Sequence, residues 1–370
     1  MAPKQSVKPA DWWVFFSVMT LLGVGLIMVF SSTQYIAQYA PYNDSFYFLK
    51  KQGIGALIGL GGMLFFYKLP YQAIRKLAVP VMVALIAALV LVVASELGGG
   101  AGGALRFLEV GGVRFQPSEF CKPVLIVVAA IILSQSKERV QSFKHGFLPV
   151  VLWTVVCCSL VILEDLSTGV VMAVTIFLMM FCAGIKWRYL LSLIIAGGAG
   201  IAAAIIFEPY RVRRIFAFLD PAADSGGDGY QIIQSLYAIG SGGLTGVGLG
   251  SSTAKWFHLP VSHADFIFSI YAEEAGFLGC ILLLLLFALF IWRGLNIAVR
   301  GTNTFVSMVA FGITSVIGIQ AVINLLVVVG FAPVTGITLP FISFGVNSLI
   351  ISLSMVGLLL NISRFTERSR

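Results

Sequence analysis

Long runs of hydrophobic residues, separated by short polar segments, recur from one end of the chain to the other. VPVMVALIAALVLVVA at 79–94 and CILLLLLFALFIW at 280–292 are two of them. About 20 apolar residues in a helix cross the hydrocarbon core of a bilayer. Because the runs are continuous instead of alternating with polar residues, they are typical of helices and not of membrane barrel strands. The pattern predicts an all-α polytopic membrane protein.

Ten segments are long and apolar enough to be transmembrane helices. They are 11–32, 52–69, 77–96, 119–135, 147–163, 167–184, 188–207, 266–293, 304–330 and 341–363. The first is too long for a cleavable signal peptide, and no small-residue cleavage site follows it. We therefore expect one integral membrane domain over residues 1–370, with a long loop at 208–264 before the eighth helix.

Charged residues are scarce, at 11% of the 370 residues, and their distribution orients the helices. With a cytoplasmic N-terminus, the inner segments hold most of the 24 Lys and Arg residues but only Asp11, Glu138 and Glu367 among the acids. Cytoplasmic loops are the ones that retain basic residues. Both termini are therefore predicted to be cytoplasmic, and the 208–264 loop extracytoplasmic.

The net charge of +8 then reflects this topology and an attraction to anionic membrane lipids. The basic residues are scattered over the inner segments and form no single patch, which excludes nucleic acid as a partner. All five cysteines fall within predicted spans, so we expect no disulfide framework.

Two outer segments, 96–122 and 208–264, contain too many glycine, hydrophobic and charged residues to be simple connectors. GYQIIQSLYAIG at 229–240 has helical spacing and is a candidate interfacial helix. The glycine run GSGGLTGVGLG that overlaps its end allows the backbone to approach a ligand or another helix closely. No glycine stretch continues into the Lys-Ser/Thr of a phosphate-binding loop, so nucleotide binding is excluded.

Several ionisable residues are set into or beside the spans, where they are expensive and face a cavity or one another. Glu119 and Lys122 share one helical face and form either a functional pair or an ion pair that holds the helix end. Asp165 follows a tight turn, where it either caps the sixth span or belongs to a site. Glu273 and Glu274 point about 100° apart on a helix, so we expect separate and structural roles.

Asp265 raises the sharpest question, because it stands between two histidines and the apolar run FIFSIYA. It is either the N-cap of the eighth helix or a functional carboxylate. His258 and His263 beside one Asp do not make a convincing metal-ligand set, and no metal-ligand spacing occurs elsewhere. Lys255 and the arginines of 211–214 either anchor the loop on lipid phosphates or bind an anionic ligand, since they oppose the positive-inside bias.

Four segments resemble one known family. They are YRVRRIFAFLDP, GYQIIQSLYAIGSGGLTGVGLG, LPVSHADFIFSIYAEEAGFLG and PVTGITLPFISFGVNSLIISLSMVGLLLNISR. They look like the SEDS family (shape, elongation, division and sporulation), whose members FtsW, RodA and SpoVE are bacterial peptidoglycan glycosyltransferases. The likeness extends in order from GVGLIMVFSS at 23–32 to NISR at 361–364, and VGLGSSTAKWFHLP resembles the FtsW/SpoVE branch.

The resemblance implies ten transmembrane helices, cytoplasmic termini and a large outer loop before helix eight. It implies that lipid II is polymerised into glycan strands at the outer face of the bacterial cytoplasmic membrane, in division or sporulation, with undecaprenyl diphosphate leaving. The family's functional carboxylate corresponds to Asp265. The chain departs from the family pattern at Val261, Ala264, Val346 and Asn347, which suggests a divergent branch.

The chemistry of glycan polymerisation suits a carboxylate in this place. A sugar hydroxyl attacks an anomeric carbon and needs a base, and apolar walls raise the proton affinity of a carboxylate. The departing diphosphate needs fixed cations or a metal ion, so a divalent cation such as Mg²⁺ or Mn²⁺ is the one cofactor to consider. We expect Asp265 to be catalytic. The candidate substrate-binding residues are Arg106, Arg114, Glu119, Lys122, Asp165, Arg213, Lys255, His263 and Ser343.

Two other functions stay open at the level of sequence. A lipid II flippase would need a polar pathway through the middle of the membrane, but the inner halves of the spans carry little charge. A catalytically inactive scaffold is kept open by the departures at Val261 and Asn347. In each case the resemblance implies a class B penicillin-binding protein, a transpeptidase, as partner, alongside lipid II and membrane lipids.

Overall fold

A computed structural model describes residues 9–98, 108–110, 113–224, 226–256 and 264–366. Within these ranges the regular secondary structure is helical apart from one antiparallel hairpin, and a π-helical turn at Phe143–Phe147 leads into the sixth helix. The elements are α1 Trp12–Ala37, α2 Tyr47–Lys68, α3 Tyr71–Gly98, β1 Leu108–Val110, β2 Val113–Phe115, α4 Pro117–Leu133, α5 Lys137–Val140, α6 Leu148–Glu164, α7 Leu166–Cys182, α8 Trp187–Ile206, α9 Pro209–Leu219, α10 Asp228–Ser241, α11 Ile267–Val299, α12 Thr304–Val328 and α13 Val346–Ser363.

Each of the ten predicted spans contains one long helix. Among the described residues, seven helices are long and apolar enough to cross a membrane, and α7 is a shorter apolar helix. The prediction of an all-α multi-pass membrane protein is confirmed. Five boundaries were wrong by five or six residues. The first span continues to Ala37 and the eighth to Val299, whereas α2 and α3 begin earlier than predicted, at Tyr47 and Tyr71. The tenth helix begins at Val346 instead of 341. Pro340 favours an extended residue before it, so the chain ahead of α13 forms a loop.

The centre of the bundle is α13, most of whose residues are buried, and it packs along α2 and also contacts α4, α11 and α12. Its buried Asn361 donates to the carbonyls of Phe66 and Leu69 at 2.8 and 2.6 Å, which satisfies the end of α2. By contrast, α8 lies at the periphery, with Leu190 as its one buried residue and α7 and α9 as its neighbours.

The N-terminal end of α1 is fixed to two other helices. Asp11 caps α1 by accepting from the amides of Trp13 and Val14 at 3.1 and 3.3 Å. The same carboxylate accepts from Arg293 of α11 at 3.0 Å, and the Asp11 amide donates to the Ser363 hydroxyl of α13 at 3.1 Å. Asp11 therefore links α1 to α11 and α13 at this end of the bundle.

The 208–264 loop contains two helices and packs against the bundle. The predicted helix at 229–240 is present as α10, which contacts both α11 and α12. Its buried Ser235 hydroxyl lies 2.7 Å from the Ser269 hydroxyl and donates to the Val328 carbonyl at 2.6 Å. The expected interfacial helix is thus also a packed helix, with Tyr237 exposed on its other face.

The glycine-rich segment after α10 joins α11 where that helix is broken. Gly276 has φ 67° and ψ −170°, which interrupts the helical hydrogen bonds. Four backbone bonds of 2.9–3.1 Å replace them: Val247 to Glu273, Gly248 to Glu274, Phe277 to Gly243 and Leu278 to Leu244, donor first. A Cβ at Gly246 would lie 2.1 Å from the Glu274 carbonyl oxygen. The predicted close approach of the glycine run to another helix is confirmed.

Candidate catalytic site

Asp265 lies in a turn just before α11 and is half-buried. The N-cap of α11 is Phe266, so Asp265 stands one residue outside the capping position that the sequence left open. A Cβ placed on Gly336 would lie 3.8 Å from the Asp265 carboxylate, which puts the α12–α13 loop beside it. Ile267 and Phe268 are buried behind it. The carboxylate therefore lies at the edge of an apolar core, next to Gly336 of the α12–α13 loop.

The backbone at Asp265 is held by a side chain that the sequence analysis missed. Asn324 of α12 donates to the Asp265 carbonyl at 2.8 Å and to the Ile337 carbonyl at 2.7 Å. One turn earlier, Gln320 donates to the Thr338 carbonyl at 3.2 Å. A buried amide side chain without a hydrogen-bond partner costs free energy, so it is retained in an apolar helix where it has one. The polar residues Gln320 and Asn324 within the apolar sequence of α12 were therefore the signal available in the sequence.

The other end of the α12–α13 loop is held in the same way. Gln52 of α2, only 1% exposed, donates to the Ser343 carbonyl at 3.0 Å and accepts from the Gly345 amide at 3.2 Å. The Ser343 hydroxyl accepts from the Leu339 amide at 2.8 Å. Buried backbone groups outside helices need hydrogen-bond partners, and these side chains provide them. A substrate-binding role for Ser343 stays a prediction.

Lys255, a predicted substrate cation, is buried and paired. Its ammonium lies 3.1 Å from Glu274 and also donates to the Gly250 carbonyl at 2.6 Å. The Ser31 hydroxyl of α1 donates to the same carboxylate at 2.6 Å. The side chains of Lys255 and Glu274 are 6% and 0% exposed. The charge of Lys255 is therefore balanced within the protein, and its contact with substrate stays a prediction.

Glu273 holds a different part of the same loop. Its carboxylate accepts from the Ser252 hydroxyl at 2.5 Å, from the Thr253 amide and hydroxyl at 2.9 Å each, and from the Ala254 amide at 3.3 Å. The expected separation of roles between Glu273 and Glu274 is present. Together they fix residues 250–255 against α11 and α1, immediately before the segment that leads to Asp265.

Glu119 and Lys122 form a buried ion pair at the start of α4. The ammonium lies 2.9 and 2.8 Å from the two carboxylate oxygens, and the side chains are 9% and 4% exposed. Asp165 caps α7, accepting from the amides of Ser167 and Thr168 at 2.9 and 3.3 Å. The structural alternatives for these three residues are thus realised. Roles in substrate binding stay predictions.

A cavity of about 540 Å³ opens between α7, α8, α9 and the α12–α13 loop. Asp165 and Arg214 line it, as does Arg211, whose guanidinium donates to the carbonyls of Ala204 and Ile162 at 2.8 and 2.9 Å. Its remaining walls are mostly aliphatic. The charged residues that line the cavity are Glu164, Asp165, Glu208, Arg211 and Arg214.

One short segment of the α12–α13 loop borders both the cavity and Asp265. Thr335 and Ile337 line the cavity, whereas Gly336 between them faces the Asp265 carboxylate. Gly336 has a φ of 79°, a backbone conformation that favours glycine. Arg213, the arginine chosen from the sequence, is exposed, and its neighbours Arg211 and Arg214 are the ones at the cavity.

Comparison with known proteins places this arrangement in a family. The FtsW/RodA/SpoVE cell cycle protein family matches residues 12–368. The chain belongs to this family. Stage V sporulation protein E of Bacillus subtilis (strain 168) is 43% identical over 359 residues, covering 96% of this chain and 98% of that protein. The probable peptidoglycan glycosyltransferase FtsW of Geobacter sulfurreducens is 38% identical over 360 residues, covering 97% and 96%.

Solved structures of FtsW/RodA/SpoVE-type proteins share the fold. The rod shape determining protein RodA of Thermus thermophilus superposes with a TM-score of 0.70 at 27% identity, covering 97% of this chain and 98% of that one. A chain from a structure of a peptidoglycan synthase complex, described as coordinating polymerization and crosslinking, gives a TM-score of 0.77 at 29% identity, covering 96% and 98%.

Three predicted site residues of this family member lie where side chains are not described. Arg106 and His263 fall outside the described residues. Arg114 belongs to β2, where its Cα is paired with that of Glu109 across the hairpin. Their predicted contacts with substrate stay predictions.

Proposed function

We propose that the chain is a peptidoglycan glycosyltransferase that polymerises lipid II into glycan strands, with Asp265 as the base. The observation that carries the activity is similarity over nearly the full length to proteins named peptidoglycan glycosyltransferase. The geometry supports the role of Asp265, because the carboxylate is half-buried beside an apolar core and its backbone is fixed.

The reaction that Asp265 would assist is a single displacement. The acceptor hydroxyl oxygen bonds to the anomeric carbon, and the bond from that carbon to the diphosphate breaks. The hydroxyl proton passes to the Asp265 carboxylate, the electron pair leaves with undecaprenyl diphosphate, and the configuration inverts. One base is enough, and no second carboxylate is required as it is in glycoside hydrolysis.

The departing diphosphate would be met by cations on the outer face. Lys122 and Lys255 are each paired with a buried carboxylate, whereas Arg213 is exposed. No group of three or more His, Cys, Asp or Glu among the described residues is placed to hold a metal ion. A divalent cation such as Mg²⁺ or Mn²⁺ would bind together with the phosphates of the substrate, as Mg²⁺ commonly does.

The proposed membrane arrangement is the one expected from the sequence. We propose ten spans, both termini in the cytoplasm, and the 208–264 loop at the outer face of the bacterial cytoplasmic membrane. The helices of the described chain coincide with the predicted spans, and the basic residues favour this orientation. The expected partner is a class B penicillin-binding protein, consistent with the likeness to a chain of a peptidoglycan synthase complex.

The test is polymerisation of fluorescent lipid II, followed as a ladder on a gel. Wild type, Asp265→Asn and Asp44→Asn are compared with and without a cognate penicillin-binding protein that lacks its own glycosyltransferase. Asp44 is the matched control, since its carboxylate also precedes a helix and bonds Phe46 and Lys50. We expect ladders from wild type and Asp44→Asn and none from Asp265→Asn.

Other outcomes are equally informative. Ladders from Asp265→Asn would remove Asp265 from the chemistry. No ladder from wild type, with lipid II still bound, would favour a flippase or an inactive scaffold.

A further inference from the structure

Asn324 joins three elements at the position of Asp265. It lies on α12 and is 1% exposed. Its amide nitrogen donates to the Asp265 carbonyl at 2.8 Å and to the Ile337 carbonyl at 2.7 Å. The first acceptor precedes α11 and the second lies in the α12–α13 loop. A single side chain therefore fixes the backbone of Asp265 relative to both the helix and the loop.

The orientation of this amide is set by its partners. Both N–H groups of the nitrogen are used, and a flipped amide would bring its oxygen against two carbonyl oxygens. The Asn324 side-chain oxygen is buried and accepts no hydrogen bond within the described part of the chain. A buried acceptor left in that state is unfavourable. Position 324 is thus not optimised for stability alone, which is typical of residues that serve a site.

The loop that Asn324 holds is also the one that faces the carboxylate. Gly336 precedes Ile337, and a Cβ at Gly336 would stand 3.8 Å from the Asp265 carboxylate. Loss of the Asn324 bonds would free both the turn that carries Asp265 and the wall opposite it. A base acts only when it is held within hydrogen-bond reach of the proton that it removes.

From this geometry we infer that Asn324 is the positioning residue of Asp265: it sets the distance between the carboxylate and the α12–α13 loop without touching substrate. The inference rests on the proposed glycosyltransferase function. Loss of the Asn324 side chain lowers the rate of polymerisation at saturating lipid II and leaves the binding of lipid II nearly unchanged.

The chain offers a closely matched control. Asn361 is 2% exposed, and its amide likewise donates to two backbone carbonyls, those of Phe66 and Leu69, at 2.8 and 2.6 Å. Phe66 and Leu69 lie at the opposite end of α2 from Gln52, which holds the loop before α13. Asn324→Ala and Asn361→Ala therefore remove the same kind of buried contact at two different places.

The experiment measures kcat and KM for lipid II together with backbone hydrogen exchange in the full chain. For Asn324→Ala we expect kcat to fall about 100-fold, as a displacement of about 1 Å can produce, with KM changed less than threefold. Exchange should rise in peptides covering 264–270 and 336–340. For Asn361→Ala we expect a similar loss of thermal stability, kcat near that of wild type, and faster exchange at 66–70.

Two results would overturn the inference: equal falls of kcat in both variants, or unchanged exchange at 264–270 in Asn324→Ala. Asn324→Ser, which keeps one short donor, is measured in parallel and should give an intermediate kcat; it also serves if the alanine variant does not fold. If wild type fails to polymerise lipid II, the proposed function is wrong, while hydrogen exchange still decides whether Asn324 holds Asp265.

Discussion

The buried polar residues around the site are of two kinds: some form hydrogen bonds with buried backbone groups, and others form ion pairs with buried charges. Gln52 and Asn324 are of the first kind, and both were overlooked because a single amide side chain belongs to no recognisable motif. Lys255 and Glu274 are of the second kind. From the sequence, Lys255 was a cation at the outer face, but the ion pair with Glu274 exists only in the folded chain. Its partner comes from 19 residues further along.

The Lys255–Glu274 pair yields a prediction about charge at the residue scale. Lys255→Met should destabilise the protein by about 3–5 kcal/mol, because it leaves the fully buried Glu274 carboxylate without its cation. Adding Glu274→Gln should restore much of that loss. Thermal unfolding in detergent of the two single variants and the double variant measures the coupling. Additive effects in this cycle would show that the pair does not act as a unit.

The same variants separate a structural from a substrate role for Lys255. If the lysine serves folding alone, the double variant recovers polymerisation of lipid II along with stability. Recovery of stability with no recovery of polymerisation would assign Lys255 to the diphosphate.

Elements depart from regular geometry where the loop of 208–264 meets α11. The break at Gly276 exposes helical hydrogen-bonding groups, and the glycine run at 243–248 pairs with them. Backbone in this conformation is accessible essentially to glycine alone. The loop is thereby part of the bundle and presents residues 250–255 to the carboxylates of Glu273 and Glu274.

Alanine at either contact glycine should disrupt this junction. Gly276→Ala places a Cβ 2.2 Å from the Gly246 amide at φ 67°, and Gly246→Ala places one 2.1 Å from the Glu274 carbonyl. We expect each change to cost about 3 kcal/mol or more, from backbone strain plus overpacking. The melting temperature in detergent measures the effect.

Gly61→Ala in α2 is the control, because its Cβ would meet no atom within 4 Å. It should leave stability unchanged or raise it by about 0.5–1 kcal/mol, since alanine suits a helix better than glycine. If the Gly276→Ala variant had the same melting temperature as Gly61→Ala, the junction would not be strained.

At the scale of the whole molecule, the described chain is a helical bundle around α13, in which one segment of the α12–α13 loop borders both a charged cavity and Asp265. Helix α10 of the 208–264 loop packs on α11 and α12, whereas α8 remains peripheral. This asymmetry places the ionisable groups of the site at one end of the bundle, while the Asp11–Arg293 pair closes the other.

The proposed orientation makes a prediction about accessibility. Gly226 and Ser136 are both exposed, the first in the outer loop and the second between α4 and α5. In intact cells a membrane-impermeant maleimide should label Gly226→Cys strongly, and Ser136→Cys only after lysis. Wild type, with its five free cysteines, is the blank. Labelling of Ser136→Cys in intact cells would reverse the topology.

The sequence by itself determined the class of fold, the positions of the long helices and the place of Asp265 before the eighth span. Those features depend on local hydrophobicity and on short motifs, which a single stretch of chain carries. Only the tertiary structure decided that Asn324 holds Asp265, that Lys255 is paired, and that the glycine run fills a break in α11. Each of these contacts joins residues distant in sequence, so it arises from packing and cannot be read from local pattern.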